Sequence, residues 1–216
     1  MNYTTVLWDL DGTILNSGPG VYDSFRKTFD AIGYPQPTDA VLRTFIGPPL
    51  RDSFKEILGF TPEETQRALE VYRDFYLDGG ALNANLYDGV VEVIAAAKAA
   101  GIKNSLATSK AITGVTVVGE HYDFLRHFDV LGTADVAANR LNKADVITYA
   151  LAGLKDLGAD LSRVVLIGDR IHDIEGARHH GIEVALVTWG YGSPDEWALA
   201  DHQISSAAEL ASFLGV

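Results

Sequence analysis

The chain has no cysteine. That excludes disulfide bonds and cysteine-ligated zinc, and it fits a cytoplasmic setting. Basic residues are scarce. Seventeen Lys and Arg stand against 29 Asp and Glu among 216 residues, a formal net charge of −12. There is no clustered basic stretch either, so a nucleic-acid polymer is disfavoured as a partner, because such polymers are bound through cations that neutralise phosphates. No apolar run has the length of a membrane span. The N-terminus lacks a basic stretch leading into an apolar core and a small-residue cleavage site, so no secretory leader is expected. Repeats and low-complexity segments are missing too, and nothing in the sequence reads out an oligomeric state.

What is present is ordinary for a globular protein: 47% hydrophobic and 21% charged residues. The length suits one large domain, or a core carrying a smaller insertion. Short apolar runs alternate with helical patterns. Val6-Leu7-Trp8, Ser105-Leu106-Ala107, Val164-Val165-Leu166-Ile167 and Val184-Ala185-Leu186-Val187 read as strands. Most lack polar alternation, which predicts burial on both faces in a parallel sheet. Helices are predicted over Val90 to Ala100, stopped by Gly101, and over Lys143 to Leu157, stopped by Gly158. Ser193-Pro194-Asp195-Glu196 and Ser206-Ala207-Ala208-Glu209 are capping boxes that open two more. This alternation implies an α/β, doubly wound parallel-sheet fold of Rossmann-like type.

From about Gly18 to Gly80 the alternation stops and only helices are predicted. They cover Val21 to Ile32, Thr38 to Phe45, Leu50 to Leu58, and a stretch capped by Thr61-Pro62-Glu63-Glu64 that runs to about Leu77. A helical block after the first strand reads as a cap inserted over that strand's carboxyl end. Residues 1–16 and 83–216 would form the core and 17–82 the cap, with hinges at Asn16-Ser17-Gly18 and Gly79 to Asn85.

In open α/β sheets, ligands sit beyond the carboxyl ends of the strands. Asp9, Asp11, Gly12 and Thr13 follow the first strand; Thr108, Ser109 and Lys110 follow the second. Gly168, Asp169, Arg170 and Asp173 follow the third, and Lys143 opens the helix before it. Carboxylates gathered in one pocket repel unless a hard cation joins them, and Mg²⁺ prefers oxygen ligands. Such an ion and Lys143 would screen a carboxylate nucleophile from a phosphate dianion. Asp9 would attack phosphorus, and Asp11, on the same side of an extended segment, would serve as acid and then base. A leaving alkoxide needs that acid, which favours a phosphate ester over a haloalkane. Thr108, Ser109 and the Gly12-Thr13 turn would hold phosphate oxygens.

Asp9-Leu10-Asp11-Gly12-Thr13, Thr108, Lys143, and Gly168-Asp169-Arg170 with Asp173 resemble, in order and spacing, the four motifs of the haloacid dehalogenase (HAD) superfamily in its phosphatase branch. The insert resembles the small helical cap of the phosphoglycolate phosphatase-like group. Phe45-Ile46-Gly47-Pro48-Pro49-Leu50-Arg51 resembles that group's substrate-facing loop, including members described as 5′-nucleotidases. The resemblance implies Mg²⁺ held by Asp9, the backbone carbonyl of Asp11, and Asp169. Asp173 would act nearby, on the metal, through water, or by fixing Lys143. Asn16 and Ser109 depart from the residues common there, an acidic residue and Asn. Arg51 is a candidate substrate contact or a plain surface pair, and Gly47-Pro48-Pro49 equally reads as a turn between helices. His121, His127, His179 and His202 read as residues of solvated faces, whereas His172 lies within the third motif's loop. The insert's aromatics read as cap core.

The implied activity is a Mg²⁺-dependent phosphomonoesterase of a small phosphate ester. Phosphoglycolate and a nucleoside 5′-monophosphate are the leading substrates, and a sugar phosphate is the alternative. A phosphomutase of the same superfamily shares these residues. A receiver-type phosphoacceptor shares the aspartate, hydroxyl and lysine, but lacks the second aspartate and the cap.

Overall fold

The computed structural model describes residues 2–216. Its centre is a six-stranded sheet in the order β5-β4-β1-β6-β7-β8, with every neighbouring pair parallel. The strands are β1 (Thr5–Trp8), β4 (Lys103–Ala111), β5 (Val130–Ala134), β6 (Val164–Gly168), β7 (Glu183–Val187) and β8 (His202–Ile204). Two further short strands, β2 (Leu15–Asn16) and β3 (Asn85–Leu86), pair antiparallel with each other outside this sheet.

The absence of polar alternation in the strands has the cause expected of it. Along β1, Val6 and Trp8 join one buried cluster and Leu7 the other. Val165 and Ile167 against Leu166, and Ala185 and Val187 against Val184 and Leu186, divide in the same way. Successive strand side chains point to opposite faces, so apolar residues at every position require cover on both. Helices α5 (Val90–Ala99), α6 (Ile112–His121) and α10 (Ala207–Leu214) supply it on one face. Helices α7 (Lys143–Asp156) and α8 (Ile171–His179) supply it on the other. A single turn of helix, α9 (Pro194–Trp197), follows β7.

Between β2 and β3 stand α1 (Gly18–Ile32), α2 (Asp39–Thr44), α3 (Leu50–Asp52) and α4 (Pro62–Leu77). The helix expected over Leu50 to Leu58 is not uniform: after one α turn it widens into a π-helix over Ser53–Ile57. Two of the other helices carry the caps their sequences offer. Thr61 and Glu64 form the reciprocal capping box of α4, and Thr38 caps α2. The insert's aromatics are its core. Phe25, Phe29, Phe45 and Phe54 are all but fully buried, and the Phe25 ring lies 4.5–6.0 Å from those of Phe29, Phe45, Phe54 and Tyr72. Rings buried among one another in this way, stacked, tilted and edge to face, form a packed core rather than a stacking platform.

The chain reverses its strand order at β1, whose neighbours are β4 and β6. Trp8 is level with Leu106 on one side and Ile167 on the other. One residue further, Asp9, Ala107 and Gly168 share the carboxyl edge. Strand-order reversal opens a crevice at this edge, and the helical insert leaves the chain directly above it.

Candidate active site

Asp9 is the first residue past β1, and its N–H still donates to Ile167 O at 2.9 Å. The sheet therefore fixes its backbone. Its side chain is buried and accepts from Lys143 Nζ at 2.6 Å. Lys143 begins α7, where a cation is unfavourable. The ammonium is held there by three acceptors: Asp9 Oδ1, Ala107 O at 2.8 Å and Asp173 Oδ1 at 2.8 Å. Burial alone would lower the amine, but Asp173 and Asp9 outweigh it and hold Lys143 above its ordinary value.

Asp173 has both oxygens engaged. Oδ1 meets Lys143, while Oδ2 accepts from the N–H groups of Asp169 and Arg170 at 3.0 and 3.1 Å. Of the roles open to it in the sequence, this arrangement favours fixing Lys143 and the start of α8. Asp169 is different. Its Oδ2 accepts from Tyr191 N at 2.6 Å, but its Oδ1 is buried with no hydrogen-bond partner. Burial, then the charges of Asp173 and Asp9, push its carboxyl well above the usual range.

Oxygens of Asp9, Asp169 and Asp173 all lie within 4.8 Å of one another, and all three residues are buried. Three carboxylates face one ammonium, and one oxygen is orphaned. Both the excess negative charge and the unpaired oxygen fit a hard divalent cation.

Gly12 and Thr13 make the turn after β1. Gly12 N–H donates to Leu15 O at 2.8 Å, and Trp189 Nε1 donates to Thr13 O at 3.2 Å. Gly12 has φ of +89°, and a Cβ there would collide with Asp169 Oδ2 and crowd the Tyr191 ring. Gly12→Ala should therefore cost about 1–3 kcal/mol of stability through strain and displace Asp169; chemical denaturation with and without divalent cation checks both effects. Thr108 is buried, and its Oγ1 accepts from Lys110 N at 3.2 Å. Ser109 Oγ is buried without a partner.

Asp11 does not join the cluster. Both its carboxylate oxygens accept from Lys110 Nζ, at 2.9 and 2.7 Å. That ammonium also lies 4.8 Å from the centre of the Tyr76 ring, on α4 of the insert. Burial opposes the charge on Lys110, yet Asp11, Tyr76 and Tyr72 together hold its amine above the ordinary value. The sequence placed Lys110 in the crevice without a task; it lies where the register of β4 against β5 shifts, between Thr108 and Ala111.

Arg51 is not brought to the site. It is exposed and donates to Gln66 Oε1 at 3.3 Å within the insert. Other arginines join the two parts instead. Arg43 donates to Gly190 O at 3.1 Å and lies over the Tyr191 ring, and Arg170 Nη1 donates to Ile46 O. Tyr191 also ties the hinge: its hydroxyl donates to Asn16 Oδ1 at 2.8 Å and accepts from Gly18 N at 2.6 Å. Arg170 belongs to a motif read from the sequence, but Arg43 and Tyr191 do not. His172 lines a cleft that Lys143 and Ser109 also line, with Glu175 at 3.5 Å from its Nδ1.

Comparison with known proteins places this geometry. Residues 6–187 match the family described as haloacid dehalogenase-like hydrolase. The chain is 38% identical to tyrosine-protein kinase PtkA of Mycobacterium tuberculosis, over 88% of this chain but only 64% of PtkA's own length. It is 31% identical to a 5′-nucleotidase of Pseudomonas aeruginosa, over 98% of this chain and 94% of that protein. Among solved structures, a predicted phosphatase from Clostridium acetobutylicum superposes over 100% of both chains with a TM-score of 0.91 and 30% identity.

Proposed function

This chain belongs to the haloacid dehalogenase-like hydrolase family, and from that premise we propose that it is a Mg²⁺-dependent phosphomonoesterase of a small phosphorylated metabolite. The observation that carries the reading is the buried Asp9–Lys143–Asp173 array with Asp169 beside it, at the strand-order reversal. Relatives named 5′-nucleotidase and pyrophosphatase PpaX support the same class of chemistry. Residues 17–82 act as the cap and the remainder as the core.

Asp9 is the nucleophile. Lys143 fixes one of its carboxylate oxygens and Asp173 fixes Lys143, so the attacking group is oriented before substrate arrives. A carboxylate oxygen of Asp9 forms a bond to phosphorus as the ester P–O bond breaks, and Asp11 gives its proton to the departing oxygen. Water then attacks the aspartyl-phosphate, Asp11 takes the proton of that water, and inorganic phosphate is released. To do this, Asp11 exchanges its Lys110 contact for the reacting oxygen. Lys110 sits against Tyr76 of the cap, so cap position and Asp11 position are linked through one ammonium. Thr108, Ser109 and the Gly12-Thr13 turn hold the non-reacting phosphate oxygens. Mg²⁺, held by Asp9, Asp169 and the backbone carbonyl of Asp11, would supply neutralising positive charge at the phosphoryl group.

Two measurements test this reading. Phosphate release from a panel of phosphate esters should require Mg²⁺ and stop in EDTA. Mg²⁺ should also stabilise the fold by mass action, by about 2.7 kcal/mol at a hundredfold excess over Kd, and so raise the melting temperature, and Asp169→Asn should lose that shift. Activity that persists in EDTA would exclude the metal's role. PtkA's name suggests a second reading, phosphoryl transfer to tyrosine, and ATP with a tyrosine peptide belongs in the same panel.

A further inference from the structure

We propose, resting on the phosphomonoesterase reading above, that the leaving group accepted here is uncharged and hydroxylated, and that Asp52 and Glu56 select against esters carrying a second negative charge. A cleft of about 560 Å³ opens at Lys143 between the insert and the core. Four carboxylates line it: Asp52 and Glu56 from the insert, Asp145 and Glu175 from the core. Asp145 is occupied as a helix cap, accepting from Leu141 N and Asn142 N. Among the described residues, Asp52 and Glu56 form no ion pair.

Lys143 is the single Lys or Arg in the lining among the described residues, and it is already held by Asp9 and Asp173. Two cations adjoin these acids in sequence, and neither lines the cleft: Arg51, beside Asp52, is turned to Gln66, and Lys55, beside Glu56, is not among the lining residues. A carboxylate or second phosphate on the leaving group would therefore meet negative potential, with no uncommitted Lys or Arg in the lining to receive it.

What the cleft offers instead is neutral polarity. Ser53 Oγ, on a residue only 1% exposed, and Ser109 Oγ are buried in its lining without partners. His172 and His179 add ring nitrogens. Hydroxyl and imidazole groups pair well with the hydroxyls of a sugar or nucleoside.

The test compares two esters of similar size in Mg²⁺ at low salt: glycerol phosphate, with a neutral leaving group, and phosphoglycolate, with a carboxylate. We expect kcat/KM to favour glycerol phosphate by about tenfold or more, with added salt narrowing the ratio by screening. The double variant Asp52→Asn, Glu56→Gln should narrow it by roughly threefold to tenfold, mainly through a lower KM for phosphoglycolate. A preference for phosphoglycolate, or a ratio that neither salt nor the double variant moves, would overturn the proposal and leave the phosphatase reading standing. Failure to hydrolyse either ester, or p-nitrophenyl phosphate, would overturn the phosphatase reading and this proposal with it.

Discussion

Asp9→Asn is expected to abolish phosphate release and, in metal-free protein, to raise stability at neutral pH. The first effect follows from removing the nucleophile: an amide oxygen cannot form the aspartyl-phosphate. The second follows from burial. Burial pushes the Asp9 carboxyl up from 3.8 to about 6, against the opposing pull of Lys143. A carboxyl raised in the folded state favours folding while it is protonated. That contribution is complete below the unfolded value and is lost as pH rises through about 6. Above that pH the ionised side chain costs up to about 3 kcal/mol, because each tenfold gain in proton affinity on folding corresponds to about 1.4 kcal/mol. Asn carries no such cost. In EDTA the variant should therefore melt above the wild type at pH 8, and the gap should close toward pH 4. A variant that melts lower at pH 8 would contradict the electrostatic account, and one that retains turnover would contradict the mechanism.

Asp11→Asn should lose roughly 10²–10⁴-fold in turnover of alkyl phosphates, the usual contribution of a general acid–base group. Aryl phosphates leave with less help, so their loss should be smaller. An equal, small loss for both would remove Asp11 from the acid's role. The structure adds a complication that the motif did not contain. Asp11 is the counter-ion of Lys110, and the two side chains are only 16% and 9% exposed. Breaking one partner of such a pair leaves a poorly solvated ammonium and costs up to about 3–5 kcal/mol. Asp11→Asn should therefore also be less stable, and Lys110→Met added to it should restore stability without restoring turnover. That double variant separates loss of an acid from loss of a fold.

The strands that could be read from sequence are those with short apolar runs: β1, β6 and β7, and β4 through Ser105-Leu106-Ala107. A parallel sheet covered on both faces produces that pattern, and the short length of the runs separates it from a buried helix. The strand β5 (VLGTA) escaped because glycine and threonine interrupt its apolar run, and β8 (HQI) because it is short and mostly polar. The hinge strands β2 and β3 hold two residues each, too few for any periodicity. Asp9, Lys143, Asp169 and Asp173 could be read because their chemistry requires particular residue types beside particular strands. The two readings of Arg51, a substrate contact or a surface pair, could not be separated in the sequence because proximity along a loop does not give direction; the structure shows it paired with Gln66, and the π-helical turn that follows it has no sequence signal. Lys110, Tyr191 and Arg43 act through long-range contacts, to residues 99, 175 and 147 positions away. No local pattern encodes those.

The central claim is that phosphate passes through Asp9. Its most direct measurement is mass spectrometry of the acid-quenched enzyme after brief mixing with Mg²⁺ and a hydrolysed ester, using Asp11→Asn to slow breakdown of the intermediate. A phosphate adduct on the peptide bearing Asp9, absent in Asp9→Asn, is the predicted result. Full turnover with no adduct at Asp9, or an adduct on another residue, would contradict the account.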